Sequence, residues 1–281
     1  MGETCLPGRT GSAAAITTAG VYRRILASRI RCQLAYPASF TLDVLAQVLG
    51  QGVELVTILV VFTQVQSLGG FRAGEVVLLY GLASVAFGLA SLAVAQVEEL
   101  PEFIRSGEFD VLLLRPLGSL AQLLSADISL KRIGRVVTGL VVLGVAVTGA
   151  DIDWDPGRVV LLVTTPLVGA VILGSVWIGF SAVTFWLVDA REMANAFTYG
   201  SNYSTSYPIT IYGPWLRRLI CFLIPSAFVA YFPALALLDR PDPLGLPAGL
   251  RWSSPVVAVL TVAAAALVWQ AGVRHYQGTG S

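Results

Sequence analysis

From Val159 to Val188, thirty consecutive residues carry no ionisable side chain. Fully helical, that run is about 45 Å long at 1.5 Å per residue, longer than a bilayer's hydrocarbon core is thick. Val76–Val97 and Val256–Gly272 are likewise free of Asp, Glu, Lys and Arg. Only 12% of the 281 residues are charged, against about 25% in soluble domains. The chain is 56% hydrophobic, with a mean hydropathy of +0.76. These runs are far longer than barrel strands, so the sequence predicts an all-α integral membrane protein. The net charge of +1 supplies no global field for nucleic acid or an acidic ligand.

Residues 1–20 are small and polar, and lack the charged start, apolar core and cleavage site of a signal peptide. They read as a mobile tail. Residues 21–281 form one transmembrane domain. It opens with an interfacial elbow helix at 21–37, where Arg23, Arg24, Arg29 and Arg31 alternate with Ile25, Leu26, Ile30 and Leu34 at helical spacing. Six spans are predicted at about 38–65, 76–97, 133–150, 159–188, 217–238 and 256–272. With the N-terminus inside, fourteen of the eighteen Lys and Arg residues fall in inner segments and four in outer ones. The positive-inside rule therefore places both termini in the cytoplasm.

The first span is not purely apolar. Asp43, Gln47, Gln51 and Glu54 follow one another at spacings of four, four and three, which sets them on one helical face. Such groups face protein or water, not lipid. The pattern allows two roles: hydrogen bonds that fix the bundle, or a polar wall along a transport route or dimer seam. In the third span Gly134, Gly139, Gly144 and Gly149 recur every five residues, which implies close packing on several sides. Asp151, Asp153 and Asp155 have the spacing that opens a calcium loop. Pro156 and Leu162 occupy that loop's required Gly and Glu positions, so no metal site is expected. Asp155 instead suits a helix cap, with Pro156 at the first helical position. Cys5, Cys32 and Cys221 have no metal-ligand or disulfide spacing. His275 reads as a solvated tail residue.

The densest charge between apolar runs lies in Glu98–Leu117, EELPEFIRSGEFDVLLLRPL. Pro101 suits a first helical turn and Gly107 a helix end. Leu100, Phe103 and Ile104 share one face, which predicts a short amphipathic helix on the membrane surface. Arg115 precedes Pro116 and is pushed out of the α region. A second internal loop is predicted at Asp189–Leu216, where Tyr199, Tyr203, Tyr207 and Tyr212 suggest an aromatic membrane interface. No cation lies between Glu192 and Leu216, which excludes a stacking surface for single-stranded nucleic acid. Pro225 and Pro233 interrupt the fifth span, giving either a kinked helix or a re-entrant segment.

Three stretches carry a family resemblance. The first is Gly107, Asp110, Leu113, Arg115, Pro116 and Leu117. The second is Tyr207, Pro208, Ile211 and Tyr212. The third follows Arg217 or Arg218 and comprises Pro225, Ala227, Phe228, Pro233 and Ala234. In type and order they resemble the short ABC-2 type permeases, the transmembrane subunits of bacterial ABC exporters. The likeness runs from about residue 21 onward. It implies an N-terminal elbow helix and a re-entrant segment before the last span. It also implies a cytoplasmic coupling helix docking on an ATP-binding subunit through Glu102, Phe103, Arg105, Glu108, Asp110 and Arg115. Implied partners are two ATP-binding subunits, a second permease chain (same or related) and membrane lipid, in the inner membrane.

No G-x-x-x-x-G-K-[ST] loop is present, so ATP and Mg are expected on the partner and no cofactor on this chain. A single histidine rules out an H-E-x-x-H site, and no nucleophile–base set suggests an intramembrane enzyme. The competing reading is a self-contained secondary transporter or channel using Asp43 and Glu54 as ion sites.

Overall fold

The computed structural model describes residues 37–116, 118–126, 132–150, 152–187 and 191–277. The expected tail and nearly all of the elbow helix lie outside these. The described residues are helical, and an isolated bridge between Leu68 and Phe71 is their one piece of paired extended backbone. Four helices are long and apolar enough to cross a membrane: Thr41–Gln64, Ala73–Arg105, Pro156–Phe185 and Ser254–His275. A bent pair, Pro214–Cys221 with Ser226–Leu237, makes a fifth if it counts as one span.

The elements are α1 (Pro37–Gln64), α2 (Ala73–Val94), α3 (Leu100–Arg105), α4 (Glu108–Leu113), α5 (Ser119–Ala126) and α6 (Ile133–Gly149). They continue with α7 (Pro156–Ser181), α8 (Arg191–Thr205), α9 (Pro214–Arg218), α10 (Tyr231–Leu237) and α11 (Ser254–His275). The expected caps form. Asp155 accepts from the Arg158 backbone N–H at 2.9 Å, with Pro156 in the first turn of α7. Gly107 takes φ +75°, which a side chain would resist, and separates α3 from α4.

The hub is α2, whose most apolar window is 83% buried against 11% for that of α1. Small residues let its neighbours approach. A Cβ on Gly81 would lie 2.8 Å from Leu143 Cα, and one on Gly139 would lie 2.9 Å from the Val85 backbone N, so α2 and α6 pack backbone to backbone. Gly134 faces Val44 of α1 instead. The glycines of α6 thus serve two different neighbours. On the far side of α2, Phe87 stacks on Trp177 of α7 at 5.7 Å. Just past the C-terminal end of α7, Phe185 fills the space left by Gly272 of α11.

One expectation fails. The stretch Asp189–Leu216 is not a loop, since Arg191–Thr205 is the helix α8. Its small residues Ala194, Thr198, Ser201 and Thr205 are buried at helical spacing, and its polar side lines a cavity. It runs antiparallel to α2. Arg191 pairs with Glu99 at 3.2 Å, Tyr199 meets Phe87, and Thr210 donates to Gly69 O at 2.7 Å. The interruption expected in 217–238 is present. The segment passes from α9 through a π turn, breaks at Ile224–Pro225 and resumes in α10, the two arms bent by 67°. Both ends are tied to the same end of the bundle. Arg217 donates to Tyr212 O, next to the Thr210–Gly69 contact, and Arg240 donates to Glu75 Oε2 at 2.6 Å and to Gly70 O at 2.9 Å. Both ends of the segment therefore lie at one end of the bundle, and every residue of α10 is buried in protein.

Candidate functional site: an interhelical cavity and the charged loop beside it

A cavity of about 550 Å³ lies between α1, α2, α6 and α8. From α1, Gln47, Gln51 and Glu54 reach it on successive turns. Asp43, one turn earlier, is exposed and outside the lining. Gln51 is only 6% exposed. Its Nε2 donates to Arg135 O at 3.1 Å, joining α1 to α6. The Tyr80 hydroxyl donates to Gln51 O at 3.0 Å and sits 3.3 Å from Glu54 Oε2, joining α1 to α2. Gln51 Oε1 and Glu54 Oε1 find no donor among the described residues. The polar face thus fixes the bundle and lines the cavity at once.

Sequence reasoning missed the opposite wall. Arg135 entered only as an inner cation, yet its guanidinium lies in the cavity wall, 4.9 Å from the centre of the Phe87 ring. Tyr199, Asn202 and Tyr203 of α8, with Tyr207 just beyond it, complete the lining. A signal was present, because Tyr199 and Tyr203 are four apart and share a face of α8.

The charged loop lies at the Glu99–Arg191 end. Leu100 is fully buried, and Phe103 and Ile104 pack partly against the core, as their spacing predicts. Phe103 is half-buried, with part of its ring left at the surface. Glu102, Arg105, Glu108 and Arg115 are exposed, with Glu102 and Arg105 3.6 Å apart, and Asp110 is half-buried. The anchor of the loop is Phe109. It is completely buried, 5.2 Å from both Phe185 and Tyr276 and 6.5 Å from Trp269 by ring centres. One side chain of α4 therefore grips the ends of α7 and α11. Gln122 of α5 braces the loop by donating to Leu112 O at 2.9 Å. His275 is not merely solvated, since it stacks on Trp186 at 5.9 Å.

Among the described residues, no three His, Cys, Asp or Glu side chains gather closely enough to hold a metal ion. No curated protein and no solved structure matches the chain significantly. A family model described as "ABC-2 family transporter protein" matches residues 48–280, from within α1 through the whole of α11. An all-helical bundle with several apolar crossings, matched over most of its length, belongs to the ABC-2 transporter family as a multi-pass membrane permease.

Proposed function

We propose that this permease is the membrane subunit of an ATP-driven exporter, coupled to two separate ATP-binding cassette subunits and paired with a second permease chain. ATP and Mg bind to the partner subunits. The chain crosses the bacterial inner membrane six times, through α1, α2, α6, α7, α8 and α11, with both termini in the cytoplasm. The bent pair α9–α10 is a re-entrant segment at the outer face. The loop 98–116 then lies inside, where an ATPase reaches it. Closure of the ATPases pushes on α3 and α4, and the push passes to the spans that α4 grips. The cavity forms one wall of a route completed by the second chain.

The observation that carries this reading is the burial of Phe109 against Phe185, Trp269 and Tyr276. It makes the exposed charges of the same loop a lever on α7 and α11. The test is charge reversal at Glu102 and Glu108, both to Arg. The expected result is normal insertion with loss of ATPase co-purification, or retained binding whose ATP hydrolysis no longer responds to transport. Arg115→Ala acts in the same direction, through the turn before Pro116. Wild-type binding and transport in these variants refute the assignment. Glu54 in the cavity wall favours a second reading, an ion-coupled carrier. Uptake by this chain alone in vesicles, driven by an ion gradient, would establish that instead.

A further inference from the structure

We propose that a second pocket, beside the Phe109 joint, binds the phosphate of an anionic phospholipid of the inner leaflet. Which leaflet this is rests on the permease reading. The pocket has a volume of about 560 Å³ and lies between α3, the turn Ala182–Phe185 after α7 and the end of α11.

Charge is the first ground. Arg105 and His275 line the pocket, and among the described residues no Asp or Glu does. Arg105 lies 3.6 Å from Glu102, but the two side chains are 66% and 57% exposed. Water screens such a pair, so it holds the guanidinium weakly. A phosphate is the better partner, because it accepts two parallel N–H bonds from a guanidinium. The His275 imidazole and the Gln277 amide offer further N–H donors in the same lining. A choline or ammonium group finds no carboxylate there.

Depth is the second. Two of the membrane-length helices end in this pocket. Phe185 is the last residue of Pro156–Phe185, and His275 is the last of Ser254–His275. The ends of spans lie at headgroup level. Trp186 and Tyr276, also in the lining, are the residue types enriched at that level. Basic pockets between helices on the cytoplasmic side suit anionic headgroups.

The third is a bed for the acyl chain. Leu260, Ala264, Leu267, Ala271 and His275 follow at spacings of four, three, four and four, and all are exposed. They form one stripe of α11 that ends at the pocket. From Leu260 to His275 the rise is about 22 Å, more than the roughly 15 Å of one leaflet's hydrocarbon. A lipid held by Arg105 and His275 therefore has an uninterrupted surface for its chain. Bound there, the phosphate links α3 to α11 next to Phe109, whose neighbours Phe185 and Tyr276 also line the pocket. Arg105 then serves the membrane side of the loop, and Glu102 and Glu108 the partner side.

The test is native mass spectrometry of the purified chain in a neutral detergent. It receives equimolar phosphatidylglycerol and phosphatidylcholine with identical acyl chains, and glycerol 3-phosphate as a probe without chains. One phosphatidylglycerol should be retained, with about tenfold preference over phosphatidylcholine. Arg105→Gln should lower that retention about fivefold. His275→Phe keeps a ring against Trp186 but removes the donor, and should lower it about threefold. Both residues are exposed, so neither change disturbs the core. Arg218→Gln removes an exposed charge outside the pocket and should change nothing. Equal retention of the two lipids overturns the proposal, as does unchanged retention in both pocket variants or an equal loss in Arg218→Gln. Displacement of the lipid by glycerol 3-phosphate at equal concentration overturns the lipid as occupant in favour of a free phosphate. The assay contains no ATPase, so lost lipid retention and lost ATPase coupling are separate results.

Discussion

Gly81 and Gly144 differ only in what surrounds them, and that difference sets opposite outcomes for the same substitution. A methyl on Gly81 meets backbone, the Leu143 Cα at 2.8 Å, which no rotamer change relieves. Gly81→Ala therefore forces α2 and α6 apart and should lower stability by about 1–3 kcal/mol. Gly144 has nothing within 4 Å of its missing Cβ. Gly144→Ala should be neutral or gain up to about 1 kcal/mol of helix propensity. Thermal unfolding in detergent checks both, and equal melting temperatures would show that the close approach does not matter. Sequence spacing did not separate Gly139, which meets the Val85 backbone, from Gly144, because a five-residue step marks no single face. The heptad Gly74, Gly81 and Gly88 on α2 was the more informative pattern. Glu54 is the other decisive residue. Glu54→Leu removes a carboxylate while Tyr80 keeps Gln51 O as an acceptor, so insertion and assembly should stay normal. Transport measured against the amount of inserted protein should fall severalfold if the cavity carries ligand. Unchanged transport would reduce Glu54 to packing.

The pair α3–α4 behaves as one lever only if Phe109 holds it. Phe109→Ala empties a site walled by Phe185, Trp269 and Tyr276, and should cost about 3–5 kcal/mol locally. The exposed charges Glu102, Arg105 and Glu108 remain, so the ATPase should still co-purify while its hydrolysis loses its response to substrate. Loss of co-purification instead would show that Phe109 shapes the docking surface itself. This element was half legible. The face Leu100–Phe103–Ile104 followed from spacing, and the stop at Gly107 from backbone preference. Phe109 was missed because its partners lie 76, 160 and 167 residues away, a distance no local period encodes. Hydropathy missed the helix α8 because it scores composition, not surroundings. The polar residues of α8 face a cavity, so the helix resembled a loop. Pro225 did mark the break in 217–238. The charge-free runs of α2, α7 and α11 were read correctly because lipid and protein interior reward the same residues there.

At the scale of the whole molecule, the two arrangements of the fifth crossing differ in where Trp215 sits. If 217–238 crosses, Trp215 lies on the same side as Ser106. If α8 crosses, they lie on opposite sides. The contacts favour α8, because Arg191 is bound at the Glu99 end and Thr210 at the Gly69 end. This moves Arg217 and Arg218 outward, and the inner excess falls from fourteen against four to twelve against six of the eighteen cations. The positive-inside rule still points the same way. Arg217 is also accommodated locally by the carbonyls of Thr210 and Tyr212. Ser106 is exposed and Trp215 is 75% exposed, so a cysteine at either site is reachable. The experiment uses single cysteines in a chain freed of Cys5, Cys32 and Cys221, with a membrane-impermeant maleimide. Ser106→Cys should label only from the cytoplasmic side, and Trp215→Cys only from the outside. Labelling of both from the cytoplasm would restore 217–238 as the fifth span and leave α8 an internal helix. Labelling of Ser106→Cys from outside would place the charged loop beyond any ATPase, and the coupling role of Glu102, Glu108 and Phe109 would fail with it.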